Sequence, residues 1–213
     1  MNIIIFGAPG AGKGTQSQLI AKKYNLHQIS TGDLLRNEIK NKTEIGKEIE
    51  HILSKGDFAT DEIVNRLLKK VVTNLDYRNR IIFDGYPRNI NQAKSLEIML
   101  NSDNQSINFI LFLKVPKDVI ERRILARIIC EKCNKTFNEF IDINEIENHK
   151  CGKTFLKKRK DDKIETLITR YDEYMTKTKP VLEFYFLKNN FYEIDGSEKI
   201  EVISSKITNI INV

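Results

Sequence analysis

A glycine-rich segment with one lysine is the part of the sequence that points most directly to chemistry. Residues 7–15 read Gly-Ala-Pro-Gly-Ala-Gly-Lys-Gly-Thr and directly follow the apolar run Ile3–Phe6. Glycines permit left-handed or crowded backbone, so successive N–H groups turn inward on one anion, and the helix that follows adds its dipole. Lys13 supplies a charge for outer phosphates and Thr15 a hydroxyl near a metal ion. Gly14 between them departs from the general pattern, but the segment still predicts nucleotide phosphate binding.

A second group of residues indicates a second anion site. A predicted strand ends at Asp84, and the turn Gly85–Pro87 then leads to Arg88. Asp84 suits contact with Mg²⁺ through water, although the same residue type is common as a turn former. The guanidinium of Arg88 can bind a phosphate with two hydrogen bonds. Thr31 and Arg36 alone read as a helix N-cap and a surface charge. Together with Arg88 they predict an anion site.

Two further arginine pairs fit a clamp for a transferred phosphoryl group. Arg123 and Arg127 have i, i+4 spacing, which predicts one shared helix face. Arg159 precedes two aspartates, and Arg170 is predicted about three turns along the next helix. The basic run 157–160 has two other interpretations, a nucleic-acid patch or a solvated stripe, and the neighbouring aspartates favour the solvated stripe.

The elements that must position these residues alternate between strands and helices. Strand-like runs separated by helical periodicity recur at residues 2–6, 27–30, 81–84, 107–115 and 191–195. This alternation predicts a parallel sheet with helices on both faces. A helix is expected to begin after Pro116, and Asp84 is expected at the tip of a buried strand beside the phosphate loop.

Two segments interrupt the alternation and are predicted to be insertions on the sheet. Residues 31–75 are predicted to be wholly helical, which is longer than one crossover helix requires. Residues 126–162 contain all three cysteines and little helical periodicity. Apolar residues in that second segment suggest short strands at Phe137, Phe140, Ile141, Ile143 and Ile146. Insertions at the carboxyl ends of strands are where open α/β proteins place their ligands.

Composition bounds the class of protein. The 213 residues are enough for one α/β domain with an insertion. The net charge of +6 fits a polyanionic ligand, either a nucleotide or a nucleic acid, and equally a lysine-rich surface. No apolar run approaches the ~20 residues of a membrane span, and no signal peptide is evident. The odd number of cysteines argues against a disulfide scaffold, so the cytoplasm is the expected compartment.

Taken together, the motifs resemble those of adenylate kinases with a long lid. They follow one another in the family order over essentially the whole chain, and Gly14 is the family's version of the phosphate loop. The matching motifs are Gly7–Thr15, Thr31–Arg36, Asp84–Arg88 with Gln92, and Arg159–Asp162 with Arg170. The resemblance implies a five-stranded parallel P-loop NTPase core with helices on both faces. It implies a core at residues 1–29, 60–125 and 163–213, a helical AMP-binding insertion at 30–59, and a small β lid at 126–162.

The resemblance also implies an activity and the residues that carry it. The activity is reversible phosphoryl transfer, MgATP + AMP = 2 ADP, in adenine nucleotide homeostasis. The residues implied for ATP are Gly10, Ala11, Gly12, Lys13, Gly14, Thr15, Arg127, Thr136, Phe137 and Glu198. Those for AMP are Thr31, Arg36, Asp57, Phe58, Ala59, Gly85, Tyr86, Pro87, Arg88, Gln92, Arg159 and Arg170. The catalytic cations are Lys13, Arg88, Arg127, Arg159 and Arg170, and Asp84 would hold Mg²⁺ through water. Tyr86 replaces the more usual Phe and adds a hydroxyl.

Similar lids carry a structural zinc, held by a C-x-x-C and a second pair of the same spacing. Here Cys130 and Cys133 form the first pair, but the second is broken, because Asn148 stands where the third ligand is expected. His149 is one residue away, so Cys130, Cys133, His149 and Cys151 are predicted as a Cys₃His zinc site. The alternative is a lid without metal, held by apolar packing.

Two other readings bear on partners. A kinase for another nucleoside monophosphate, such as UMP or CMP, is the close alternative. A zinc-ribbon that contacts nucleic acid is a distant one, because it leaves the arginines near the phosphate loop unexplained. The resemblance therefore implies ATP, AMP and ADP as partners, no nucleic acid or membrane, and a monomer.

Overall fold

The chain alternates between strands and helices through most of its length. The computed structural model describes residues 1–54, 59–159 and 161–212. In chain order the strands are β1 (Asn2–Phe6), β2 (His27–Ser30), β3 (Ile81–Asp84), β4 (Ile107–Lys114), β5 (Arg127–Cys130), β6 (Thr136–Asn138), β7 (Leu156–Lys157) and β8 (Phe191–Asp195). The helices are α1 (Lys13–Tyr24), α2 (Thr31–Lys40), α3 (Glu44–Ser54), α4 (Asp61–Val72), α5 (Ile90–Asn101), α6 (Lys117–Leu125), α7 (Ile143–Glu147), α8 (Ile164–Glu173), α9 (Lys179–Phe186) and α10 (Ile200–Ile211).

Five strands form a parallel sheet in the order β2-β3-β1-β4-β8. The central strand β1 is buried along its whole length, because helices cover both faces of the sheet. Ile3 and Ile5 point to one face and pack with Ile20 of α1. Ile4 points to the other face and packs in one cluster with Leu96 of α5. The predicted fold class and all five predicted strands are confirmed, and α6 begins directly after Pro116 as expected.

A small antiparallel sheet in the order β6-β5-β7 lies in the cysteine-containing segment. Phe137 belongs to β6, as expected of a short strand. The other strand expectations in this segment are wrong. Phe140 and Ile141 lie in an exposed turn, while Ile143 and Ile146 lie in the short helix α7. The strands were expected because apolar residues are usually buried in a sheet, but Phe140 and Ile141 are exposed to solvent in the turn.

Two predictions about the arginines are also wrong. Arg123 and Arg127 do not share a helix face, because α6 ends at Leu125 and Arg127 opens β5, paired with Asn138 of β6. The β-branched run after Arg127 favours the strand. Arg170 is the seventh residue of α8, so it lies about two turns along that helix rather than three.

The segment 31–75 contains α2, α3 and α4, so its expected helical character is confirmed for the described residues. The side chain of Ser30, not Thr31, caps α2 by accepting a hydrogen bond from the Asp33 N–H. Among the described residues, no helix is long and apolar enough to cross a membrane.

Candidate active site

The phosphate loop (residues 7–15) runs from the end of β1 into the first turn of α1. Gly12 immediately precedes α1 with φ +95°, and Gly10 has φ +84°, conformations that favour glycine. A Cβ on Gly10 would also lie 2.7 Å from a carbon of Ile124. Gly14 is helical, and a Cβ there would lie 3.5 Å from the carboxylate of Asp84. The sequence predicted this loop correctly, with left-handed backbone at Gly10 and Gly12.

Lys13, the first residue of α1, folds its side chain back over the phosphate loop. Its Nζ donates hydrogen bonds to the carbonyls of Gly7 at 2.7 Å and Ala8 at 3.0 Å. Burial lowers the pKa of the Lys13 ammonium to about 8, and the nearby Asp84 carboxylate opposes that change only in part. An anion bound beside Lys13 would therefore raise the pKa of its ammonium and keep it protonated.

Asp84 ends β3 at the edge of the sheet where the phosphate loop also lies. Its carboxylate accepts a hydrogen bond from Gln28 of β2 at 3.0 Å. Burial raises the pKa of Asp84, and the charge of Lys13 counteracts this. The side chain is thus an acid at the tip of a buried strand, as expected. Gln28, which holds it, was not identified from the sequence, where its only signal is a polar position in a short strand.

Two residues of the predicted second anion site, Thr31 and Arg88, meet at the carbonyl of Gly85. Thr31 Oγ1 and Arg88 Nε each donate a hydrogen bond to it at 2.8 Å. A Cβ on Gly85, whose φ is +77°, would lie 3.2 Å from both side chains. Arg36 lies on α2, paired with Asp33. The glycine therefore lets Thr31 and Arg88 approach one turn closely.

Gln92 supports this turn from behind. Its Oε1 accepts a hydrogen bond from the Arg88 N–H at 2.7 Å, and its Nε2 donates to Asp61 at 2.7 Å. The hydroxyl of Tyr86 lies 2.7 Å from Asn65 Oδ1 and 3.1 Å from the Gln92 carbonyl. The structure thus gives Gln92 and Tyr86 protein partners that the sequence did not predict.

Arg127 of β5 and Arg170 of α8 each pair with one of the two aspartates that follow Arg159. Arg127 forms a two-point ion pair with Asp162, whose side chain is 2% exposed, with Nε donating at 2.8 Å. Arg170 pairs with Asp161 at 3.1 Å. Burial, followed by the charges of Arg127 and Arg36, lowers the pKa of Arg159 to about 10. These cations repel one another, so a bound polyanion would be stabilised among them.

All six predicted phosphate-binding cations line a single cavity of about 540 Å³: Lys13, Arg36, Arg88, Arg127, Arg159 and Arg170. The same cavity is lined by residues 10–15, Asp84, Gly85, Thr136, Phe137 and Glu198. Among the residues predicted for AMP, Thr31, Ala59, Tyr86, Pro87 and Gln92 do not line it. Asp57 and Phe58 lie outside the described residues.

Arg123 also lines the cavity, but it does not pair with Arg127. Its guanidinium donates to the carbonyl of Gly196 at 2.7 Å and to that of Ser197 at 3.2 Å. The loop after β8, which contains Glu198, is therefore fastened to α6.

The three cysteines and His149 come together in the lid segment. The ligand atoms of Cys130, Cys133, His149 and Cys151 all lie within 4.8 Å of one another. Cys133 Sγ and His149 Nε2 are 3.5 Å apart, about the edge of a tetrahedron with zinc at its centre. The side chain of Asn148 instead donates to the Asn144 carbonyl at 2.9 Å. The donor set and its spacing fit a structural zinc.

Comparison with known proteins gives one consistent result. The model of the adenylate kinase family matches residues 5–190. The chain is similar to adenylate kinases of Pelagibacter ubique, at 58% identity over the whole of both chains, and of Elusimicrobium minutum, at 38% over 100% of this chain and 99% of the other. It is 37% identical to that of Thermosipho melanesiensis over 99% of both chains. The chain therefore belongs to the adenylate kinase family.

Proposed function

We propose that the protein transfers the γ-phosphoryl group of MgATP to AMP, reversibly, to give two ADP. The observation that carries this is the convergence of Lys13 and five arginines on one cavity beside the phosphate loop. One nucleotide does not require six cations drawn from the core, the lid and α2. Two phosphate groups brought together do, because their mutual repulsion must be neutralised before transfer.

The donor is assigned to the side of the cavity formed by the phosphate loop. The backbone of Gly10–Thr15 and the Lys13 ammonium would bind its phosphates, and Arg127 would reach them from the lid. Thr136 and Phe137 of β6 and the backbone at Glu198 line the same cavity and would enclose the base. Adenylate kinases use Mg²⁺ with ATP. Asp84 would hold that ion through water, where it neutralises charge on the transferred phosphate.

The acceptor is assigned to the side formed by α2 and the turn after β3. Arg36 and Arg88 would bind the AMP phosphate, with Arg159 and Arg170 between the two substrates. Thr31, Tyr86, Pro87 and Gln92 would act from behind the cavity wall, and Ala59 with its neighbours Asp57 and Phe58 would contact the base. The roles of the four arginines rest on the motif match and on their place in the cavity wall, and those of the other residues rest on the motif match alone.

The chemistry asks little of the protein beyond position and charge. An oxygen of the AMP phosphate attacks the γ-phosphorus, the bond to the bridging oxygen breaks, and ADP leaves. The attacking group is already an anion, so no general base is required. Lys13, Arg88 and Arg170 stabilise the charge that spreads over the transferred group. Water would compete with AMP and hydrolyse ATP, so the role of the lid is to exclude water from the site.

The decisive test is a Lys13→Ala variant, assayed for ADP formation from ATP and AMP. We expect a loss of about 100-fold or more in kcat, because one preorganised charge on the transferred group is removed. Near-normal turnover would refute the proposal. An assay of the unaltered enzyme across AMP, CMP, UMP and GMP tests the acceptor. Preference for UMP or CMP would favour the alternative kinase, and salt-dependent binding of RNA or DNA without transfer would favour the nucleic-acid module.

The organisation into three parts is also proposed. The core would comprise residues 1–29, 60–125 and 163–213, the AMP insertion 30–59 and the lid 126–162. The boundaries fall where the parallel sheet gives way to α2 and α3, and to the small antiparallel sheet. We further propose a cytoplasmic monomer, as the family resemblance implies.

A structural zinc in the lid is a second proposal, supported by the cluster of Cys130, Cys133, His149 and Cys151. Metal content of the purified protein tests it, with His149→Ala as the variant and Asn148→Ala as the matched control. We expect one equivalent of zinc in the unaltered protein and the Asn148 variant, and weaker binding in the His149 variant. Equal zinc affinity in all three would exclude His149 as a ligand.

A further inference from the structure

The loop that follows β8 is joined to the phosphate-loop helix by one side chain. We use the name base loop for residues 196–199 together with Ile200 and Glu201, the first two residues of α10, because Glu198 lies where the donor base is proposed to bind. The Nε2 of Gln16 on α1 donates a hydrogen bond to the carbonyl of Ile200 at 3.0 Å. Gln16 directly follows Thr15, so the two elements that would bind opposite ends of one ATP are tied together at this point.

The base loop is fastened at its other end by different contacts. Arg123 donates to the carbonyl of Gly196, and the Gly196 N–H donates to the Lys114 carbonyl at 2.9 Å. The Glu198 side chain is paired with Lys206 at 2.6 Å. Because the side chain is engaged in that ion pair, the part of Glu198 left for contact with the base is its backbone. Of these contacts, only the hydrogen bond from Gln16 connects the base loop to α1, the helix that continues the phosphate loop.

The burial of Gln16 is costly for the fold. The residue is 2% exposed, and its Oε1 is buried with no hydrogen-bond partner among the described residues. A buried amide oxygen without a partner destabilises a protein, and an apolar side chain of the same length would avoid that cost. The residue is thus better explained by the loop that it positions than by stability.

We propose that Gln16 is a positioning residue for recognition of the donor base. Its amide sets the distance between the phosphate loop and the base loop, so that a nucleoside triphosphate with adenine contacts both at once. The proposal rests on the assignment of the donor to this side of the cavity. It concerns the donor only, because Gln16 lies on α1 and Ile200 at the start of α10, whereas the acceptor is assigned to α2 and the turn at Gly85.

The test uses Gln16→Met, which keeps the length of the side chain and removes the amide. We expect KM for ATP to rise about 3- to 10-fold, as for loss of one hydrogen bond, with KM for AMP and kcat unchanged. We expect the preference for ATP over GTP, expressed as a ratio of kcat/KM values, to fall by a similar factor. The melting temperature should be unchanged or higher. Gln16→Glu, which replaces the amide donor by a carboxylate and adds a negative charge, should also raise KM for ATP.

Lys23→Met is the matched control. Lys23 is exposed on the same helix and also bonds α10, donating to Thr208 Oγ1 at 3.1 Å, but far along the helix from the base loop. We expect its kinetic constants to match those of the unaltered enzyme. An unchanged KM for ATP in both Gln16 variants would overturn the proposal. Equal rises in KM for ATP and KM for AMP would also overturn it. The same rise in KM for ATP in Lys23→Met would overturn it as well. None of these results would touch the proposed reaction, which the Lys13→Ala variant tests separately.

Discussion

The burial of the Lys13 ammonium affects the pH range in which the site can bind phosphate, because burial lowers its pKa. Its pKa is lowered to about 8, chiefly by burial. The amine loses its proton as the pH rises through that value, and a neutral amine does not attract phosphate. The free enzyme should therefore lose affinity for the donor in mildly alkaline solution, below the pKa of about 10 at which Arg159 loses its proton.

We expect kcat/KM for ATP to fall tenfold for each unit above about pH 8, because this constant reports ionisations of the free enzyme. The alkaline limb of kcat should lie at higher pH, since bound phosphates raise the pKa of Lys13. Steady-state profiles between about pH 6.5 and 10, measured with AMP saturating, would show the difference. A kcat/KM for ATP that stays level to the alkaline end would contradict it.

A second prediction concerns Tyr86, whose hydroxyl should contribute to the stability of the protein and not to its catalysis. Its hydroxyl, on a side chain that is 1% exposed, bonds Asn65. Tyr86→Phe should lower the free energy of unfolding by about 0.5–1.5 kcal/mol, the worth of one such bond. Both KM values should stay the same, because Tyr86 does not line the cavity. Urea unfolding and steady-state kinetics measure the two effects, and a changed KM for AMP would assign the hydroxyl to the site instead.

The helices and strands show which signals in the sequence report structure. Apolar β1 and the helix after Pro116 were predictable because burial on both faces and the fixed φ of proline act locally. The end of α6 was not, because Arg127 leaves the helix to pair with Asn138, eleven residues away in sequence. Arg170 lines the cavity as expected, although its position along α8 was misjudged. The partners of Gln92, Gly85 and Gln16 depend on tertiary contacts, and no spacing predicts those.

The contact between α2 and α3 gives a prediction at the scale of elements. A Cβ on Gly46 of α3 would lie 2.1 Å from the carbonyl oxygen of Glu38 on α2. Glycine to alanine inside a helix ordinarily stabilises it by about 1 kcal/mol. Here the two helices would have to separate, so Gly46→Ala should instead destabilise the protein by about 1–3 kcal/mol.

Because α2 carries Arg36, the same variant should raise KM for AMP and leave KM for ATP unchanged. Glu48→Ala is the control, since Glu48 is exposed on the same helix. Urea unfolding and initial-rate kinetics would be measured on both variants. A stabilised Gly46→Ala protein would show that the helices move apart at little cost and that the close contact does not position Arg36.

At the scale of the whole molecule, the proposed core and the proposed lid differ in how much apolar surface holds them. The parallel sheet is buried on both faces by long helices. In the described part of residues 126–162, the buried apolar side chains are Ala126, Cys130 and Phe137, while Phe140 and Ile141 are exposed. Three small strands with so little burial are marginal without another constraint. The proposed zinc would supply it, tying the turn after β5 to the segment before β7.

Removal of the metal should therefore loosen the lid and leave the core intact. After treatment with a chelator, we expect hydrogen exchange to accelerate at the amides of β5, β6 and β7 and to stay the same in β1, β3 and β4, because metal binding contributes directly to folding in small sites. His149→Ala should reproduce this pattern without the chelator, whereas Asn148→Ala should exchange like the unaltered protein. ADP formation should fall in step with lid exchange, since Arg127 and Arg159 reach the cavity from the lid. Equal lid exchange with and without metal would mean that the ion pairs Arg127–Asp162 and Arg170–Asp161 hold the lid in place by themselves.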